Sequence, residues 1–206
     1  MKFWKKVRGI ELKRLDNLKK MMNSEDVGPI VRRFLVNTLF DATFVLLGII
    51  VGITVASTIN LRLAVTTMLT SSLALGISAG VSVYEAESLE QERKISKLER
   101  ALFRDLRGTM IEERAKSVVF LAALVNFTAP LVSCAVTAIP LIISINNFIT
   151  TETAVLTSVI CALGILFATG VYLGRIGKTN PWKKGTRMVI FGIIAFLIGY
   201  LLNNIL

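Results

Sequence analysis

The sequence predicts an all-α membrane protein with five transmembrane helices, the second of them extended into the cytoplasm. Three observations carry this. Apolar runs of roughly 20 residues or more recur along the 206-residue chain almost free of charge, as bilayer-spanning helices require. Charged residues make up only 18% of the chain and gather in blocks between those runs. One such block keeps helical spacing and has no Gly or Pro from Val81 to Arg107, so the second span should continue as helix beyond the bilayer.

Residues 1–33 form a cytoplasmic basic segment. Phe3, Val7, Ile10, Leu15, Leu18 and Met22 fall near one face with lysines elsewhere, which suits a helix lying on the membrane surface or, alternatively, a disordered basic tail. Residues 34–206 then form the five-helix transmembrane domain. Its spans are expected at about Phe34–Thr58, Leu61–Val83, Ser117–Ser144, Thr153–Leu173 and Met188 to the C-terminus. A cytoplasmic helical insert occupies about 84–116. Its Leu89, Ile95, Leu98, Leu102 and Leu106 recur at roughly helical spacing, Gly108 is the expected break, and a short helix from Met110 leads into the third span.

Loop charge sets the orientation. Residues 1–33 hold ten Lys/Arg against four acids, and the loop from Gly174 to Arg187 has five basic residues and no acid. The other two turns carry only Arg62 and Glu152. The positive-inside rule places the N-terminus and both charged loops in the cytoplasm, and five spans then leave the C-terminus outside. An integral multi-pass protein of a prokaryotic plasma membrane is expected rather than one of an organelle. The net charge of +10 reads as membrane orientation and contact with membrane lipid, with no nucleic-acid partner, because aromatic and basic residues are not interleaved.

Several chemistries are excluded. The chain has no histidine, the commonest catalytic base and transition-metal ligand. Cys134 and Cys161 sit in apolar segments without CxxC spacing and read as buried thiols. No nucleophile elbow, phosphate loop or zinc spacing occurs, so no enzyme and no resident cofactor is expected. Metal chemistry here must use oxygen, with sulfur a minor option.

Asp41 stands out. It interrupts the apolar run of residues 37–52, about 10 Å beyond Phe34 along a helix. An ionised acid at such depth costs at least about 2.5 kcal/mol, so it must face a partner, a cavity or an ion, or stay neutral and hydrogen-bonded to a Ser or Thr. Gly48 and Gly52 follow on the same helix and Gly76 and Gly80 on the next; both pairs permit close helix approach, which puts Asp41 on an interhelical seam. In the insert, Glu85, Glu92 and Glu99 share a face, while Glu112 and Glu113 come from the returning segment. Clustered carboxylates suit hard divalent cations. Acids seven apart on one helix are about 10 Å apart, however, so chelation needs Glu112, Glu113 or a second subunit. The alternative is a solvated helix with pairs such as Glu90 and Lys94. Asn126 and Thr128 precede Pro130, which frees carbonyls that can face a cavity, or else they pack between helices.

These residues resemble the vacuolar iron transporter family over roughly residues 34–206. "FDATFVLLGIIVG" (40–52) is similar to its first helix, "GISAGVSVYEAESLEQE" (76–92) to its second, "NFTAPLVS" (126–133) to its third-helix proline step, and "NPWKKGTRMVIFGIIAFLIGYLLNNIL" (180–206) to its closing helix. The resemblance implies a five-helix homodimer that moves Fe²⁺, and often Mn²⁺, out of the cytoplasm in exchange for protons. It implies that Asp41 is the transport acid and that Glu85, Glu92, Glu99, Glu112 and Glu113 are candidates to gather metal at the cytoplasmic mouth. Two departures stand out. Leu75 and Ala79 fall where the family commonly has a Met and a Glu, which removes a soft sulfur ligand, and the cytoplasmic insert is short. The expectation is therefore a divalent metal/proton antiporter. The competing expectation is a non-transporting membrane scaffold or metal sensor that uses its cytoplasmic helix as a partner platform.

Overall fold

A computed structural model describes residues 27–55 and 60–205, and the described residues form helices joined by short turns. The helices are α1 (Val27–Val55), α2 (Leu61–Leu102), α3 (Met110–Ile145), α4 (Thr151–Ile176) and α5 (Pro181–Ile205). All five are long and apolar enough to cross a membrane, as the sequence predicts. The expected surface helix before Val27 lies outside the described residues.

Helix ends follow local chemistry. Asn60 opens α2 by accepting the Leu63 N–H at 3.1 Å, and Pro181 opens α5 beside Asn180, which accepts the Trp182 N–H at 3.2 Å. The end of α2 departs from expectation. It stops at Leu102, before the expected break at Gly108, because Phe103 adopts the left-handed conformation at φ 50°. The Glu99 side chain then accepts the Leu106 N–H at 3.0 Å and fastens the turn. Gly108 does have positive φ, at 70°, but lies within that turn. Of the apolar residues at helical spacing, Ile95 and Leu106 gain cover, while Leu89, Leu98 and Leu102 are exposed. The short helix expected before the third span is continuous with it, so α3 runs unbroken from Met110 despite Pro130 and Pro140.

Two antiparallel hairpins, α2–α3 and α4–α5, flank α1, which touches all four other helices. Every hydrophobic cluster includes α1. Leu46 and Ile50 meet Val65, Met68, Cys134, Leu141 and Ala154 at one end, Val31 meets Val83, Val118 and Ala122 at the other, and Leu47 meets Ala162 and Leu166 on the α4 side. A buried polar ladder joins α1 to α3 between them. The Thr38 hydroxyl donates to Asn126 Oδ1 at 2.8 Å, Asn126 Nδ2 donates to the Ala122 carbonyl at 2.8 Å, and the Thr43 and Ser133 hydroxyls lie 3.0 Å apart. Asn126 is therefore a packing residue, and Thr128 is exposed and bonded to the Val125 carbonyl. Cys134 is buried and Cys161 half-buried, both as free thiols.

The two glycine pairs behave differently. A Cβ on Gly76 would lie 2.6 Å from the Phe127 carbonyl oxygen of α3, and one on Gly80 would lie 3.2 Å from Phe127 Cβ. Gly48 and Gly52 meet nothing within 4 Å and face outward. The expected close approach thus belongs to α2 and α3, while α1 and α2 touch only lightly. Gly76→Ala should destabilise the protein by about 1–3 kcal/mol in denaturant unfolding in micelles, because backbone must move. Gly164→Ala, with open space around its Cβ, should be neutral or stabilising by up to about 1 kcal/mol in the same assay.

Candidate functional site

Because α1 and α2 touch so lightly, a cavity of about 290 Å³ opens between them. Asp41 lines it with Asn37 and Thr38 from its own helix, and Leu75, Ser78, Ala79 and Ser82 come from α2. Asp41 is the eleventh residue of the 22-residue apolar stretch Val31–Gly52. Counted from Arg33, it lies eight residues, about 12 Å of helix, into the apolar run. Its side chain is exposed on the surface of the single chain, so the seam expected to enclose it is open on one side. Asn37, one helical turn earlier, donates from Nδ2 to Asp41 Oδ2 at 3.2 Å. Leu75 and Ala79 line this same cavity and bring no ligating atom to Asp41.

The other acids lie elsewhere. Glu92, Glu99 and Glu112 line a second cavity, of about 410 Å³, between the end of α2 and the start of α3. Arg107 and Lys116 line it too, so the acids are opposed by cations. Glu85 and Glu113 are exposed and do not line this cavity. Among the described residues of one chain, no three His, Cys, Asp or Glu side chains converge so as to hold an ion. Two of these acids already have partners. Glu99 caps the turn, while Glu112 accepts the Gly108 N–H at 2.6 Å and pairs with Lys116 Nζ at 2.7 Å. Glu87, which the sequence places close to Gln91 but which is not among the candidate ligands, is 4% exposed and accepts a hydrogen bond from Gln91 Nε2 at 2.7 Å. Its signal was position: Met68, Ser72, Gly76, Gly80, Val83 and Glu87 form one buried row along α2.

Hydrogen bonding to Lys116, and then to the Gly108 backbone, holds the Glu112 carboxyl below its ordinary range; the bond to Glu112 raises Lys116. The Glu112 contribution is complete above the ordinary carboxylate pKa and is lost as pH falls through the lowered one. The Lys116 contribution is complete below the ordinary lysine pKa and is lost as pH rises through the raised one. Hydrogen-exchange protection of the Gly108 amide, corrected for intrinsic rate, should therefore drop in the acid range. In Glu112→Gln that acid-range drop should disappear.

Compared with known protein families, residues 85–204, more than half of the chain, match the VIT family. No curated protein matches this chain. The matched stretch holds all but Tyr84 of the α2–α3 cavity lining, and it begins after Asp41 and the rest of the α1–α2 cavity. With its five spanning helices, the chain belongs to the VIT family, the vacuolar iron transporters, and is a multi-pass membrane protein of metal-ion transport.

Proposed function

We propose that the protein is a homodimeric antiporter that exports a divalent metal ion, Fe²⁺ or Mn²⁺, from the cytoplasm in exchange for protons. The observation that carries this reading is the placement of Asp41, an acid within an apolar span that lines a cavity and lies uncovered on one chain. Lipid is a poor neighbour for it, since an ionised carboxylate at mid-bilayer costs about 2.5–3.5 kcal/mol even on lenient scales. A second copy meets the need. Asn37, Asp41, Val45, Gly48 and Gly52 are all exposed along one stripe of α1, and the two glycines let another helix come close. Two Asp41 carboxylates would then balance one divalent ion.

The exchange follows from ligand chemistry. A carboxylate binds metal only when deprotonated, so an arriving ion displaces the proton and a departing ion lets it return. Thr38, Ser78 and Ser82 add neutral oxygens on the same cavity wall. With Leu75 and Ala79 inert, the set is all oxygen and serves Mn²⁺ as readily as Fe²⁺. Glu92, Glu99 and Glu112, with exposed Glu85 and Glu113 beside them, would raise the local cation concentration at the cytoplasmic end. The loop charges support that orientation, with the N-terminus inside and the C-terminus outside.

One observation favours the scaffold reading. Leu102, Phe103 and Met110 at the tip of the α2–α3 hairpin are 57%, 97% and 85% exposed, as a partner platform would be. Calorimetric titration with Mn²⁺ separates the two: a scaffold takes up no metal.

In proteoliposomes loaded with a metal-quenched dye, Fe²⁺ or Mn²⁺ should enter with wild type, and Asp41→Asn should cut the rate at least about tenfold. Equal uptake by both would remove Asp41 from the mechanism. In a background lacking both native cysteines, Val45→Cys should cross-link two copies and Leu156→Cys, exposed on α4, should not. Indifferent cross-linking at the two positions would reject the α1 interface.

A further inference from the structure

A third cavity lies on the other side of α1. It is a groove of about 750 Å³ between α1 and the end of α4. Val36, Phe40, Leu173 and Ile176 give it apolar walls, and Arg32 and Arg33 stand at one end. The Arg33 guanidinium lies 5.0 Å above the centre of the Phe34 ring, itself part of the wall, which holds the charge at the mouth of the groove. The layering matches the bilayer. The arginines begin the apolar stretch Val31–Gly52, and Phe40 lies about 10 Å further along the helix, at hydrocarbon depth. Arg175 and Lys178 flank the α4 end of the groove in sequence and are exposed.

We propose that this groove is a binding site for one anionic phospholipid, its acyl chain against Phe40 and Leu173 and its phosphate headgroup at Arg33. Charge decides the occupant. A zwitterionic lipid gains little from a cationic mouth, whereas each basic residue near an anionic headgroup adds attraction. The chain's own residues 1–26 carry eight Lys/Arg against four acids, a charge that does not complement the same mouth. The proposal involves no assumption about the transported ion. It does place a lipid next to the Asp41 cavity, because Phe34 and Asn37 line both spaces.

The test uses the full chain in neutral detergent and native mass spectrometry. Phosphatidylglycerol and phosphatidylcholine with identical acyl chains are titrated separately, and inorganic phosphate is added as a competitor. One phosphatidylglycerol per chain should be retained where phosphatidylcholine is not. Arg33→Gln should weaken that retention about fivefold, and Arg33→Lys should keep it. Ile176→Glu, an acid on the exposed groove wall, should weaken phosphatidylglycerol more than phosphatidylcholine. Equal retention of the two lipids overturns the proposal. So does anionic selectivity untouched by Arg33→Gln and Ile176→Glu, which would place the lipid elsewhere. Full displacement by inorganic phosphate would also overturn it, since the site would then hold an ion and not a lipid.

Discussion

The position of α1 depends on a few buried hydrogen bonds to α3. In a bilayer, apolar side chains do not drive helices together as they do in water, because lipid is as apolar as they are. Thr38, Asn126, Thr43 and Ser133 supply the directional contacts that packing alone lacks. Asn126 uses both ends of its amide, accepting from Thr38 and donating to the Ala122 carbonyl, so it ties α1 to α3 and keeps a fixed orientation. With this face of α1 committed to α3, the adjoining face, with Asp41, looks into the α1–α2 cavity and is open on one side.

That geometry explains why the acid is accessible at all. Had α1 packed tightly on α2, as α2 packs on α3, Asp41 would have been sealed against Ser78 and Ser82. Glycine at positions 76 and 80 instead draws α2 against Phe127 and away from α1. The resulting gap carries hydroxyl and amide groups in walls that are otherwise apolar, a setting in which a charge is costly unless another charge comes to meet it.

The spans were legible because hydropathy is a strong signal, and Asp41 was legible because an acid in such a run needs a reason. Which face of a helix meets which neighbour was not. Both glycine pairs read as contact surfaces, yet only Gly76 and Gly80 touch another helix within the chain. The end of α2 was misplaced because an aromatic residue, Phe103, takes the left-handed conformation that sequence reasoning assigns to Gly108. The seven-residue spacing of Glu85, Glu92 and Glu99 put all three on one face, but a straight helix drifts about 20° per heptad. Glu92 and Glu99 line the cavity and Glu85 does not. The burial of Glu87 was not legible because it lies among exposed charges, and only the row from Met68 through Gly76 and Gly80 to Val83 marks the buried side.

One helix lines both of the acid-bearing cavities. Leu75, Ser78, Ala79 and Ser82 border the space at Asp41, and Gln91, Glu92, Ile95 and Glu99 border the one beyond it. Ala79 and Glu92 are about 20 Å apart on an uninterrupted stretch of α2. No proline, and no glycine beyond Gly80, lies between them to act as a hinge. Such a stretch behaves as a lever. A tilt imposed at the charged end would pivot where Gly76 and Gly80 bear on Phe127, moving the wall of the α2–α3 cavity while the groups facing Asp41, which sit at the pivot, stay nearly in place.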